Sequence, residues 1–163
     1  MQKPSPVIVA PFFPELLTAL LELLRGLDPE AWSRPTVAEG WSIHDVALHL
    51  LGDEIGMLSR KRDNYREATP HLDSWEELVR WLNTRNNEWV KSTRRISPRL
   101  ICDLLEFAGR QVNEYFASLD PYVLGSPVSW VGPEPAPVWL DLAREFTERW
   151  HHQQHIRDAC GKP

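Results

Sequence analysis

Residues 43–55 read IHDVALHLLGDEI, and the rest of the predicted fold follows from them. Apolar side chains occupy almost every direction around a helix drawn through this stretch, and a helix of that kind is buried between partners. Ser42 precedes the stretch and Asp45 lies three residues further on, which predicts an N-cap with a capping box. The sequence therefore predicts a buried helix from Ile43 to about Tyr65.

Apolar residues at helical spacings predict four further helices. The first spans Pro14–Leu27. The last spans about Val138 to Cys160 and is followed by Gly161, a common residue just after a helix end. The third and fourth helices begin at two sets of capping residues, Ser74-Trp75-Glu76-Glu77 and Ser97-Pro98.

These elements predict an all-α fold, namely a four-helix bundle of long helices with one additional shorter or peripheral helix and long loops. By its length the chain is expected to form a single domain over residues 1–163. The longest loop lies between Pro121 and Pro137, includes Trp130, and has no clear helical or strand periodicity. A loop of this length usually covers a site or has a functional role.

Composition disfavours several classes of function. The net charge is −5 and no block of Lys or Arg is present, so no nucleic-acid partner is expected. No apolar run approaches the roughly 18 residues of a membrane span, and the run at residues 7–10 is too short for a signal peptide. We therefore expect a soluble, cytoplasmic protein. Cys102 and Cys160 form no metal-binding spacing and are interpreted as free thiols.

The last predicted helix contains the sequence TERWHHQQHI at residues 147–156, with three of the six histidines of the chain. Side chains four residues apart share a helix face. Two such pairs are available here, Glu148 with His152 and His151 with His155. An amphipathic helix with solvated histidines is an alternative of equal standing at this point.

Helical phase distinguishes the two pairs. Around the helix axis, the apolar residues span an arc from about −80° to +60° when Phe146 is set to zero. Glu148 and His152 lie at about 200° and 240°, next to one edge of that arc, and are the better placed to point inward. The other pair lies at about 140° and 180°. The apolar residues of the arc are Val138, Trp139, Leu142, Ala143, Phe146, Trp150 and Ile156.

His49 lies in the middle of the predicted buried helix, one turn before Asp53. A buried imidazole must be satisfied by hydrogen bonds or by a metal. For a single histidine the hydrogen-bonded core is the simpler interpretation. The Glu/His pair on another helix reverses that preference, because helical bundles build metal sites from facing helices.

Residues 40–50, GWSIHDVALHL, resemble the GW[ST]xx(D/E)(V/L)xxH(L/I) segment of the DinB-like superfamily. The closer likeness is to the N-terminal metal-binding domain of mycothiol-dependent maleylpyruvate isomerases. The last helix is similar too, because Glu148 and His152 match an E-x-x-x-H pair and residues 151–156 resemble the HHxx(Q/H)I run of DinB proteins. The resemblance implies a bundle of the DinB-like type, with His49, Glu148 and His152 as the ligands of a divalent metal ion.

The resemblance covers nearly the whole chain in helix order and depends on two short motifs. Two-domain isomerases of this kind continue into a C-terminal domain that contributes to the active site, whereas this sequence ends at Pro163. The resemblance therefore implies isomerase activity less directly than it implies the metal site.

Two imidazoles and one carboxylate leave a divalent ion with room for water or a thiolate, as in catalytic sites. Zinc is the expected metal and nickel the alternative. The resemblance implies a low-molecular-weight thiol and a metal-dependent thiol S-transferase or isomerase that acts on a small-molecule substrate. Metal-bound thiol or water is the expected nucleophile, so no side chain is assigned a catalytic role. A metal-hydroxide hydrolase and a non-catalytic, stress-associated metal-binding module are the alternatives.

Other residues near these positions are candidates for supporting the site. Asp53 is a candidate for orienting His49 or for a fourth position on the metal, and His155 is a candidate for supporting the ligands from outside the coordination sphere. Arg149 and Arg60 are cations available to a substrate carboxylate. Finally, eight tryptophans and long apolar helix faces exceed what a small bundle easily hides, so we expect a homodimer formed through a helix face.

Overall fold

A computed structural model of the chain describes residues 5–68, 70–128, 132 and 134–162. Outside its longer helices and its strands, the main chain forms 3₁₀ turns at Ala10–Phe12 and Pro29–Ser33 and a π-helical turn at Leu58–Arg62. The helices and strands of these residues are α1 (Phe13–Arg25), α2 (Ile43–Met57), α3 (Trp75–Thr93), α4 (Pro98–Ser118), β1 (Leu124–Pro127), β2 (Pro135–Pro137) and α5 (Val138–Cys160).

Four helices, α1, α2, α4 and α5, pack against one another and form the bundle, while α3 packs on α2 from outside. The all-α prediction with a four-helix bundle is confirmed. The fifth helix is peripheral rather than short, since α3 has 19 residues and α1 has 13. Within the described part of the chain, no helix is both long and apolar enough to cross a membrane.

Helix α2 forms the centre of the core. Val46, Ala47, Leu48 and Leu51 have no accessible surface, as the apolar pattern on all sides of this helix predicts. The predicted capping box is present at its start. The Ser42 hydroxyl accepts a hydrogen bond from the backbone N–H of Asp45, and the Asp45 carboxylate accepts one from the backbone N–H of Ser42.

The predicted end of α2 at Tyr65 is wrong, because regular α-helix ends at Met57 and the π-helical turn follows. The backbone N–H of Asp63 donates to the carbonyl of Leu58, five residues earlier, instead of four. Asn64 then adopts a φ of 53°, a left-handed conformation that cannot continue a right-handed helix. The apolar spacing gives no indication of either feature.

The attachment of α3 depends on a glycine notch in α2. The Trp89 indole lies against Gly52, where an added Cβ would be 2.6 Å from the indole nitrogen. The same nitrogen donates a 2.7 Å hydrogen bond to the carbonyl of Leu48. A glycine at this position therefore lets α3 approach the backbone of α2 closely.

The predicted capping box at the start of α3 is incomplete. The Ser74 hydroxyl accepts from the backbone N–H of Glu77, as expected, but the Glu77 carboxylate accepts from the backbone N–H of Asp73 and not from that of Ser74. By contrast, Ser97 caps α4 with Pro98 in its first turn, as predicted.

The loop between Pro121 and Pro137 is predicted to have no regular structure, and this prediction is wrong. Strands β1 and β2 pair in antiparallel fashion, with Leu124 opposite Pro137 and an irregular register. Strands of four and three residues are too short to show an alternating pattern, and prolines are unusual outside edge strands. Trp130 lies outside the described residues.

The buried face of α5 differs from the predicted arc. Trp150 was placed on that arc but is 49% exposed. With Phe146 again set to zero around the helix axis, the buried residues of α5 are centred at about −60°. The predicted apolar arc is centred near −10°, so the buried face is rotated by about 50° from the predicted one. The rotation brings the Glu148 and His152 edge of the helix closer to the bundle. The buried residues of α5 are Leu142, Glu145, Arg149, Gln153 and Ile156.

Energetics explain why α5 does not follow its apolar pattern. Burying one large apolar side chain such as Trp150 gains on the order of 1.5–3 kcal/mol. Leaving one member of a buried ion pair without its partner costs about 3–5 kcal/mol. Arg149 is 7% exposed and is ion-paired with Glu54 of α2, so the rotation that preserves this pair is favoured over the rotation that would bury Trp150.

The cysteines agree with their predicted state. Cys102 is buried in the core, Cys160 is half-buried, and both are free thiols. Burial raises the pKa of the Cys102 thiol, which keeps it in the neutral form.

Candidate metal centre

The structure brings together the three predicted ligands, one from α2 and two from α5. His49 is 4% exposed, and its Nε2 lies 3.4 Å from Oε1 of Glu148. The Nε2 of His152 lies 3.1 Å from the same oxygen. One ligand atom from each of the three residues falls within 4.8 Å of the other two. This is the arrangement expected from a glutamate and a histidine four residues apart that face a histidine on a neighbouring helix.

These distances fit a metal ion. Ligand atoms about 2.0–2.1 Å from a tetrahedral ion lie about 3.3 Å apart, close to the 3.4 and 3.1 Å separations in the structure. Two imidazole nitrogens aimed at one carboxylate oxygen form a donor set that zinc and similar ions accept. The residues present are therefore suitable for a divalent ion.

Electrostatics keep the carboxylate in the form that a metal requires. Hydrogen bonds from His152 and His49 hold the pKa of Glu148 far below its usual range, against the opposing effect of burial. Burial by itself would lower the pKa of His49, but the carboxylates of Asp53 and Glu148 raise it above the usual value. A metal ion would take the place of the proton on His49, because only neutral imidazole binds metal.

Asp53 lies beside the three ligands. Its Oδ2 is 3.4 Å from the Nε2 of His49, the nitrogen that also faces Glu148. Of the two predicted roles, this contact favours a place near the metal position, because an orienting carboxylate would bond the other ring nitrogen. Burial raises the pKa of Asp53, with the nearby His49 acting in the opposite direction.

The second predicted pair on α5 lies on the far side of the ligands. His151 is exposed, and its ring centroid is 4.8 Å from that of His155. The His155 ring meets the His152 ring edge-on at 5.1 Å, so it packs behind a candidate ligand. Burial lowers the pKa of His155, and the neighbouring His152 and His151 lower it further.

The loop before α2 supplies an aromatic wall. Gly40 has a φ of 77°, which a glycine adopts without strain, and it turns the chain so that Trp41 faces the site. The Trp41 and His49 ring centroids are 5.1 Å apart, and the indole N–H donates a 2.9 Å hydrogen bond to Asn87 of α3. Sequence reasoning quoted Trp41 as part of a motif but assigned it no contact.

A cavity of about 860 Å³ opens beside the candidate ligands, between α2, α3, α5 and β1. Arg60, one of the two cations considered for a substrate carboxylate, lines this cavity on the π-helical turn. Its Nε donates to the carbonyl of Gly56, and no carboxylate pairs with it among the described residues. The other cation, Arg149, is buried and ion-paired with Glu54 and Glu145, so it is not available to a substrate.

The buried carboxylates Glu54 and Glu145 were missed by sequence reasoning. Both lie in helices whose apolar residues dominated the interpretation, and both are 6% exposed. One signal was present in the sequence, since Glu145 and Arg149 are four residues apart and therefore share a helix face.

Comparisons with known proteins agree with the helical architecture. The family model described as the mycothiol maleylpyruvate isomerase N-terminal domain matches residues 13–157. A search of curated proteins finds no match. Among solved structures, a mutant of the mycothiol-dependent maleylpyruvate isomerase is similar with a TM-score of 0.63 and 14% identity, over 90% of this chain and 58% of that one. The chain thus spans little more than half of that isomerase.

A second solved structure, the sibling lethal factor precursor DfsB, has a TM-score of 0.64 and 14% identity, over 92% of this chain and 91% of that one. At these identities the two structures show a shared fold. The family model covers most of the chain, including the helices that carry His49, Glu148 and His152. The chain therefore belongs to the family of mycothiol maleylpyruvate isomerase N-terminal domains, within the DinB-like superfamily.

Proposed function

We propose that this chain binds one divalent metal ion through His49, Glu148 and His152 and uses it with a low-molecular-weight thiol in an S-transfer or isomerisation reaction. The observation that carries the proposal is the convergence of two imidazole nitrogens on one carboxylate oxygen, at 3.4 and 3.1 Å, beside a cavity of about 860 Å³. Zinc is the ion that suits this ligand set best, and nickel is the alternative.

Three protein ligands are typical of catalytic zinc sites, which keep a further position for water or substrate. A divalent ion held there would lower the pKa of a bound thiol and so make a thiolate available near neutral pH. The thiol is suggested by the mycothiol-dependent isomerase that shares this fold. The cavity volume falls within the range of about 300–1,000 Å³ found for small-molecule sites.

The chain's own residues would bind and orient the reactants. Trp41 covers one side of His49 and shields its ring from water, while Asn87 holds the indole in place. Arg60 is the cation that we propose for a substrate carboxylate, because it faces the cavity with no acidic partner in the described ranges. Asp53, beside His49, would accept a hydrogen bond from a thiol or water next to the ligands.

Metal content tests the ligand assignment. Purified, chelator-free protein is expected to contain close to one divalent ion per chain by elemental analysis, and His49→Ala and His152→Ala are each expected to lose it. His151→Ala is the matched control, since its ring lies on the exposed side of the same helix. Wild-type metal content in both ligand variants would show that the site is wrong.

Thiol binding tests the reaction class. Cobalt-loaded protein titrated with mycothiol, bacillithiol or a simpler thiol is expected to develop a near-ultraviolet charge-transfer band that non-thiol analogues do not produce. The band should strengthen as pH rises toward the pKa of the free thiol, because coordination releases a proton. A spectrum indifferent to every thiol would leave the metal-hydroxide hydrolase or the non-catalytic, stress-associated module as the function.

Assembly and location are also part of this proposal. We propose that residues 1–163 form one domain and that the protein acts as a cytoplasmic homodimer. Support for a dimer comes from apolar side chains left on the surface, including Leu100 and Phe107, two turns apart on α4 with 46% and 68% exposure. Sedimentation is expected to show a dimer at micromolar concentration. A stable monomer would contradict that expectation.

A further inference from the structure

Arg149 lies where the four helices of the bundle meet. Its guanidinium contacts Glu54 of α2 and Glu145 of α5, and it lies 5.7 and 5.6 Å from the ring centroids of Phe13 and Phe116. Phe13 is the first residue of α1, and Phe116 is near the end of α4. One side chain therefore contacts all four helices, and it is adjacent in sequence to the candidate ligand Glu148.

The hydrogen bonds of this arginine define its orientation. Nε and Nη2 donate to the two carboxylate oxygens of Glu54 at 2.8 and 3.3 Å, and Nη1 donates to the carboxylate and carbonyl oxygens of Glu145 at 2.6 and 3.0 Å. The two-pronged contact with Glu54 fixes the plane of the guanidinium. Arg144 also contacts the Glu145 carboxylate and balances the second negative charge. We call Glu54, Arg149 and Glu145 the clamp.

The apolar pattern of α5 alone does not set its rotation. Around the helix axis, the centre of the apolar residues lies about 50° from the centre of the buried residues. A rotation of 50° at a side-chain radius of about 5–6 Å displaces side-chain atoms by about 5 Å. Displacements of that size exceed the 3.1 and 3.4 Å separations among the candidate ligands, so the rotation of α5 decides whether the site exists.

We propose that the clamp sets the rotation of α5 and thereby holds Glu148 and His152 against His49. Arg149 is a positioning residue in this scheme, because it acts through Glu148 and His152 and does not contact the metal position. The inference rests on the proposed metal site for its functional meaning. The rotation itself can be measured without metal.

The main variant removes the clamp without leaving an unpaired charge. In the triple variant Glu54→Gln, Glu145→Gln, Arg149→Met the protein should stay folded, since replacing a whole buried ion pair with neutral residues is often tolerated. Its affinity for zinc, measured by competition with a chromogenic chelator, should fall about 10- to 100-fold. Circular dichroism and thermal melting verify that the fold persists.

A matched control is available elsewhere on α2. Asp45 and Arg94 form a similar two-pronged pair at 2.8 and 3.1 Å, between the start of α2 and the residue after α3. The double variant Asp45→Asn, Arg94→Met removes two charges without touching α5. Its zinc affinity should equal that of the wild type, so a comparable loss there would overturn the proposal.

A second readout is independent of metal. If α5 turns toward its apolar pattern, Trp150 moves from half exposed to buried. Hydroxyl-radical footprinting of metal-free protein should then show Trp150 protected in the triple variant relative to the wild type and the control. If wild-type protein binds no divalent ion, the proposed function fails. The footprint of Trp150 then tests by itself whether the clamp sets the rotation of α5.

A conservative variant covers failure of the triple variant to fold. Arg149→Lys keeps the charge but lacks the flat, two-pronged guanidinium, so it should remain folded, bind zinc more weakly than the wild type and partly protect Trp150. Wild-type zinc affinity together with a wild-type footprint, in whichever of the two variants is folded, would overturn the proposal.

Discussion

Helices α2 and α5 both supply candidate metal ligands, but different forces fix their positions. Helix α2 buries seven apolar residues beside Asp45, His49 and Glu54, and its Leu48 and Leu51 are fully buried. Helix α5 buries charged and amide side chains, while its Trp150 is 49% exposed. Hydrophobic burial places α2 without specifying much about its rotation, whereas paired charges specify the rotation of α5. A site built across the two helices therefore needs both.

The largest effect is expected where α5 depends on paired charge. Arg149→Met leaves Glu54 buried without its cation and leaves Glu145 with Arg144 alone, which should lower the free energy of unfolding by about 3–5 kcal/mol. Urea denaturation followed by far-ultraviolet circular dichroism measures it. The neutral triple variant described above should recover most of this loss. A loss no larger than that of an ordinary surface substitution would mean that α5 is held by its apolar side chains after all.

Truncation in the core of α2 should have the next largest effect. Leu48→Ala creates a cavity at a fully buried position and should lower the free energy of unfolding by about 3 kcal/mol. The same urea titration measures the change. Ile55→Ala on the same helix, at a side chain that is 40% exposed, is the control and should change stability far less. Equal losses at both positions would contradict the central place of α2.

Metal binding should stabilise the protein only when α2 and α5 both keep their ligands. Zinc at 100 times its dissociation constant should raise the free energy of unfolding by about 2.7 kcal/mol, because it binds the folded chain and not the unfolded one. His49→Ala on α2 and His152→Ala on α5 should each abolish this increment, and His151→Ala should retain it. Thermal melting with and without zinc provides the measurement. An increment that survives the loss of either ligand would place the ion elsewhere.

A smaller, pH-dependent effect is expected at the start of α2. Burial raises the pKa of Asp45, but hydrogen bonds from Arg94 and Ser42 outweigh it, and the net pKa is lower than usual. A carboxylate with a lowered folded-state pKa contributes stability above its unfolded pKa of about 3.9 and loses it as pH falls through the folded value. Asp45→Asn should therefore cost about 1 kcal/mol at pH 7, the typical net contribution of a lost hydrogen bond.

The acid limb of the stability curve checks this prediction. Denaturation of the wild type and Asp45→Asn at several pH values between 7 and 2 should show the two curves converging in the most acidic range. Ser42→Ala, which removes the hydroxyl and keeps the carboxylate, is the matched control and should retain most of the acid dependence. A constant difference at all pH values would show that the charge of Asp45 does not contribute.

The smallest effect is expected at an apolar residue of α5 that the structure leaves exposed. Trp150 is one of the two tryptophans of the predicted arc of α5, yet its exposure implies that Trp150→Ala should change the free energy of unfolding by no more than about 0.5 kcal/mol. Chemical denaturation of this variant beside Leu142→Ala, at a buried position on the same helix, gives the contrast. A large loss at Trp150 would place it in an interface and support the proposed homodimer.

The sequence predicts those parts of the fold that depend only on residues close together in the chain. The apolar run of α2, the caps at Ser42 and Ser97 and the glycine after α5 each depend on neighbouring residues, and each is present in the structure. The ligand triad was predicted because Glu148 and His152 are four residues apart and because the GW segment resembles a known family. His49 was paired with them because helical bundles build metal sites from facing helices, and the resemblance implies the same three residues.

What could not be predicted depends on contacts between distant residues. The ion pair of Glu54 with Arg149 joins positions 95 apart in the chain, and no local pattern reveals it. The π-helical turn after Met57 and the ribbon of β1 and β2 involve too few residues to show a period. The place of Asp53 relative to His49 required the actual ring orientation, which spacing along a helix does not provide.

The largely exposed surface of α3 has a consequence for how such proteins diversify. Helix α3, all of whose residues are described, buries only Val90, yet Asn83, Asn86 and Asn87 line the cavity beside the candidate ligands. Substitutions on this helix can therefore change what the cavity accepts at little expense in stability, while α2 and α5 keep the ligands in place. In a mutational library, new substrate preferences should arise on α3, and losses of metal should arise on the other two helices.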